Sequence, residues 1–108
     1  MFELVFPDLG RSIQAYEADD KDSMEALVIA KKLHAKGIVV SHVGVDRFEG
    51  LVLVGTQEAW RFKHAICGFG GTGPQTTAEI LELFGFGTKA GIMKVISDPH
   101  KSRHFFAK

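Results

Sequence analysis

At 108 residues, with 45% hydrophobic and 24% charged side chains, the chain has the make-up of one globular domain, which excludes disorder and coiled coil. A lone cysteine, Cys67, rules out an internal disulfide, and no apolar run approaches the about 20 residues of a bilayer-spanning helix. The net charge of zero disfavours a dedicated nucleic-acid binder.

The charge is unevenly spread. Residues 1–58 hold six basic against ten acidic side chains, and residues 59–108 hold seven against three. The C-terminal half is therefore the half suited to an anion. The chain start lacks a basic segment and meets Glu3, Pro7 and Asp8 early, so no secretory signal is expected and the cytoplasm is the expected location.

In chain order, Phe2 to Phe6 reads as a strand closed by the turn-forming run 7–10, and the alternating residues 13–17 as its hairpin partner. A helix should start at the cap Asp22, with Glu25 three residues on, and stop at Gly37. Its apolar stripe is Ala26, Ile29, Ala30 and Leu33. The β-branched residues 38–40 predict a strand, and 51–54, apolar throughout, a central one covered on both faces. Residues 55–58 make a turn, and 60–66 alternate as a half-buried strand.

That strand runs into a glycine-rich loop, Gly68 to Pro74, followed by a second helix to about Phe84, with stripe Thr77, Ile80, Leu81 and Phe84 and Gly85 as its stop. Residues 92–96 fit a short helix or a strand, and Phe105-Phe106 a closing strand or a packed tail. The whole chain, 1–108, is expected to be a single compact α+β domain. Its sheet should be mainly antiparallel, with two main helices and a strand–loop–helix unit over 60–84.

Four glycines, Gly68, Gly70, Gly71 and Gly73, crowd this loop. Such density suits backbone that turns with positive φ or lets a ligand approach main-chain N–H groups. Thr72 can cap the helix with Gln75 three residues later, and Pro74 suits its first turn. A helix start preceded by free N–H groups is an anion site by geometry. Gly68, Gly70 and Gly73 match G-x-G-x-x-G, but the carboxylate expected about 20 residues later has only the late Asp98 to supply it. Gly68 and Gly73 fit half of a P-loop, with Pro74 and Gln75 where Lys and Ser/Thr belong. Cys67 is placed like a phosphatase nucleophile, but Gly73 stands where that motif needs arginine. The run from Arg61-Phe62 through Gly-Phe-Gly-Gly-Thr-Gly-Pro to Leu-Phe-Gly-Phe resembles short bacterial and phage proteins, a resemblance that carries no activity with it.

Of the remaining residues, Arg61 and Lys63 are the expected ligand anchors beside the loop residues Gly68, Phe69, Gly70, Gly71, Thr72, Gly73 and Gln75. His64, sharing a strand face with Trp60 and Phe62, reads as a core-edge imidazole, and Cys67 as a small buried hydrophobe; both are weak catalytic candidates. His100 and His104 read as solvated histidines beside Lys101 and Arg103 rather than as metal ligands. Trp60, Phe69 and Phe86 are numerous enough to read as core before they read as stacking platforms. The leading expectation is non-catalytic binding of a small anionic molecule, a nucleotide or nucleotide-derived signal, by a sensor or sequestering protein. A phage-type anti-defence role is the sharper form of that expectation. No cofactor, metal or membrane is called for. A homodimer or higher homo-oligomer is expected, because terminal strands leave edges in need of partners. The alternatives are an interaction or immunity-type protein with an architectural glycine loop, and a small enzyme using Cys67 or His64.

Overall fold

A computed structural model describes residues 2–6, 11–56, 58–68 and 71–108, with segments 2–6 and 11–14 as backbone only. The expected turn at 7–10, Gln57, Phe69 and Gly70 lie outside them. In chain order the elements are β1 (Phe2–Phe6), β2 (Arg11–Glu17), α1 (Ser23–Ala35), β3 (His42–Asp46), β4 (Gly50–Val54), β5 (Glu58–Phe62), α2 (Thr72–Leu83), α3 (Lys89–Ile96) and β6 (Arg103–Ala107). The strands form one sheet in the order β1-β2-β5-β4-β3-β6. Every neighbouring pair is antiparallel except β2 with β5, which is parallel. The α+β domain with a mainly antiparallel sheet is therefore as expected. No described helix is long and apolar enough to cross a membrane.

Register fixes which sheet face is buried. Val45 lies opposite Leu51 and Leu51 opposite Phe62, while Val43 lies opposite Leu53 and Leu53 opposite Trp60. Paired residues share a face, and this face meets Ala26, Ala30 and Leu33 of α1, Ala78, Ile80 and Leu81 of α2, and Ile92 and Ile96 of α3 in one core. The helices thus form a layer on one side, with α2 between α1 and α3. Strand β4 lies inside the sheet with only Val52 half-buried, close to the two-sided burial its sequence predicts.

Both long helices stop as expected. In α1, Gly37 (φ +85°) donates to His34 O and Ile38 to Leu33 O; in α2, Gly85 (φ +86°) donates to Glu82 O and Phe86 to Leu81 O. These paired bonds satisfy the last carbonyls, and the left-handed position favours glycine. At the start of α1 the Asp22 carboxylate accepts from Glu25 N–H at 2.8 Å, while Glu25 accepts from Lys21 N–H at 3.0 Å.

Expectations about two strands are corrected, and one choice left open is decided. Residues 38–40 are not a strand, because Ile38 N–H is spent on the α1 terminus and the ladder begins only at Ser41, which donates to Val54 O. The strand is His42–Asp46, whose central glycine and polar ends masked it. Strand β5 ends at Phe62 instead of 66. A third helix, α3, resolves the ambiguity over 92–96: Thr88 caps it by accepting from Gly91 N–H at 3.1 Å, and Ile92 and Ile96 make its buried stripe.

Removal of the α1 cap by Asp22→Ala should lower stability by about 1 kcal/mol. A urea midpoint reduced with an unchanged slope is the expected signature.

Candidate functional site

Strands β2 and β5 run parallel side by side, and each delivers the chain into a helix. The two connections, which follow Glu17 and Phe62, therefore meet at one end of the sheet. What joins them is Asp20, buried at 4% exposure. Its carboxylate accepts from the backbone N–H of Lys63 at 2.9 Å and of His64 at 2.8 Å. Those two N–H groups would otherwise continue the β5 ladder, and their diversion ends the strand at Phe62. With the strand ended, His64 turns outward and is exposed, contrary to its expected core-edge position.

Beyond this junction lies an open cleft of ≈ 450 Å³ lined by Lys21, Asp22, Ser23, Lys63, His64, Ile66, Gly71, Thr72 and Gly73. The N-terminal ends of α1 and α2 both face it. Their electrostatics differ. The donors at the start of α1 are met by Asp22 and Glu25. Helix α2 begins at Thr72, earlier than the sequence suggests, with Gly71 (φ +121°) in the cap position. It has no side-chain cap and no acidic residue in its first turn. The N–H groups of Thr72 and Gly73 meet no acceptor among the described residues. They carry the positive end of the helix dipole into a cleft that Lys21 and Lys63 also line.

The expected site residues divide into three groups. Lys63, Gly71, Thr72 and Gly73 line the cleft, with His64 beside them. Gly68 does not. It is buried, donates to Ile96 O at 2.7 Å and sits at φ +101° with its Cα against the Arg47 guanidinium, where a Cβ would collide with Nε. Gln75 is exposed outside the lining, its N–H donating to Gly71 O at 3.3 Å. Arg61 lies on the sheet face away from the helices, opposite Val52, and pairs with Glu17: Nε donates to Oε2 at 3.1 Å and a terminal nitrogen to Oε1. It is therefore no anchor for this cleft, since strand alternation sends it to the other side. Phe69 and Gly70 lie outside the described residues.

Gly73 is tied to packing as well as to the cleft: a Cβ there would lie 2.6 Å from Ile66 Cγ1. Thr77, buried one turn later, donates to Ile66 O at 2.8 Å and so binds the helix to the same segment. The residues not legible as site residues in the sequence are Asp20, Lys21 and Asp22 of the β2–α1 connection and Ser23 at the start of α1. Their signal, two acids before a helix cap, gained meaning only once β2 lay beside β5.

The weak catalytic candidates fare differently. Cys67 is fully buried and its thiol donates to Ser102 O at 3.5 Å and Val45 O at 3.8 Å. Burial first, and the negative charge of Asp46 second, push its pKa above the ordinary thiol value, which is the wrong direction for a nucleophile. His104 is not solvated as expected. It lies on the core side of β6 opposite Val45, 7% exposed, and burial together with Lys101 holds its pKa below the ordinary imidazole value. No three metal-ligating side chains converge among the described residues.

No protein-family model, curated protein or solved structure matches the chain.

Asp20→Ala strands two backbone donors and should cost about 2–4 kcal/mol, measured by urea unfolding. Gly73→Ala should cost about 1–3 kcal/mol through the clash with Ile66. Gly71→Ala, with open space at its Cβ, should act only through backbone strain, at the low end of about 1–3 kcal/mol.

Proposed function

We propose that the cleft binds a small phosphorylated anion and that the protein acts by binding it, as a sensor or a sequestering protein, without chemical conversion. A nucleotide or nucleotide-derived signal is the class to test first. The observation that carries this reading is the uncapped start of α2, whose Thr72 and Gly73 share the cleft lining with Lys21 and Lys63. An anion there would gain two backbone donors, the helix dipole and two ammonium groups at once. The hydroxyls of Ser23 and Thr72 and the His64 ring add donors at the rim, a set suited to the several oxygens of a phosphoryl group.

The position supports the same reading. Ligands in α/β proteins favour the crevice beyond the carboxyl ends of parallel strands, and among the described residues β2 and β5 are the one parallel pair. The volume falls within the range of small-molecule sites, about 300–1,000 Å³. The burial and raised pKa of Cys67 favour binding over nucleophilic catalysis.

Isothermal titration with inorganic phosphate, ATP and a cyclic dinucleotide should give heat with at least one of them. Lys63→Ala and Lys21→Ala should each weaken that binding about 5-fold, and added salt should weaken it further. Absence of heat with every probe would overturn the reading.

A further inference from the structure

Three pieces of chain meet at the start of the glycine loop: the turn after β3, the Cys67–Gly68 segment, and the end of α3 with the 97–102 turn that leads into β6. They are held by backbone carbonyls. Arg47 N–H donates to Ser102 O at 2.8 Å, and Gly68 N–H to Ile96 O at 2.7 Å. The Arg47 guanidinium donates to Pro99 O at 2.6 Å and reaches Gly68 O at 3.5 Å. The Cys67 thiol donates to Ser102 O. The loop start is thus fastened to the segment just ahead of β6, and its attachment is only as firm as the seat of that strand.

Strand β6 is at the edge of the sheet, paired on one side with β3. Two residues later in the chain than Ser102 is His104, buried on the core side with its Nε2 enclosed and without a hydrogen-bond partner. A neutral ring tolerates that position, whereas protonation would leave an enclosed Nε2–H without an acceptor among the described residues, which is unfavourable.

We propose that His104 is a pH-sensitive pin: its protonation unseats β6 and, through Ser102, Pro99 and Ile96, releases the Cys67–Gly68 start of the glycine loop. This device is independent of the anion reading. The charges acting on His104 are Lys101, which opposes protonation, and Asp98, which favours it, both in the preceding turn. Strand β3 sets Val45 opposite it, and its own titratable residues, His42 and Asp46, alternate to the other face. With the folded-state value held below 6.5, the open state takes up the proton first as pH falls. Closure is therefore complete above about 6.5 and weakens as pH falls from there towards the lower folded-state value.

Cys67 supplies the readout. Its labelling by 4,4′-dithiodipyridine, divided by the rate for a peptide of the same flanking sequence, gives a protection factor at each pH. Between pH 7.5 and 5.0 the wild-type factor should fall up to about 30-fold, the limit for one proton taken up with an open-state value of about 6.5. The α-helical ellipticity should stay constant across that range. In His104→Phe the factor should stay level, and His104→Gln, which also cannot titrate, gives the same comparison if the phenyl ring does not fit. A level wild-type factor, an equal fall in both non-titrating variants, or loss of ellipticity in step with protection would each overturn the proposal.

Discussion

One buried carboxylate organises the end of this molecule where β2 and β5 lead into helices. Asp20 accepts from the N–H groups of Lys63 and His64 and so binds the exit of β2 to the exit of β5. A charge at 4% exposure is costly unless its lone pairs are met, and two aligned backbone donors meet them. The same bonds stop the β5 ladder at Phe62, turn Lys63 and His64 outward and set the chain on its path to α2. The cleft exists because two strand-to-helix connections, more than forty residues apart, are held together at this point.

Within that frame, three helix starts are handled in different ways. Helix α1 uses its own acids, Asp22 and Glu25, and α3 uses the hydroxyl of Thr88. Helix α2 has Gly71 in the cap position and no acid in its first turn. Glycine there leaves the donors of Thr72 and Gly73 without an acceptor among the described residues. The neighbouring cations Lys21 and Lys63 make the spot still more favourable to negative charge. The glycines of the loop also divide by role. Gly68 makes room for Arg47 and Gly73 for Ile66, so part of the density first read as ligand-binding is close packing.

The sequence was legible where local chemistry decides. The α1 cap, both glycine stops and the buried stripes of α1 and α2 follow from spacing alone, because each depends on residues within a turn or two. It was less legible where an N–H had a distant claimant. The run 38–40 looks like a strand by composition, but its first donor is spent on the helix terminus. The 60–66 run alternates well, yet Asp20 removes two of its ladder donors. Arg61 was set beside Lys63 as an anchor, and strand alternation with Glu17 opposite sends it to the far face.

By itself, then, the sequence determined a single α+β domain, its main helix limits, and a glycine-rich helix start in the more basic half of the chain. These rest on near-neighbour geometry and on the burial of apolar stripes. Only the tertiary structure decided which loop donors are already occupied, that Cys67 and His104 are buried, and that Lys21 joins Lys63 across a cleft. Those outcomes depend on β2 pairing with β5 and β3 with β6, contacts between segments far apart in the chain that leave no local pattern to read.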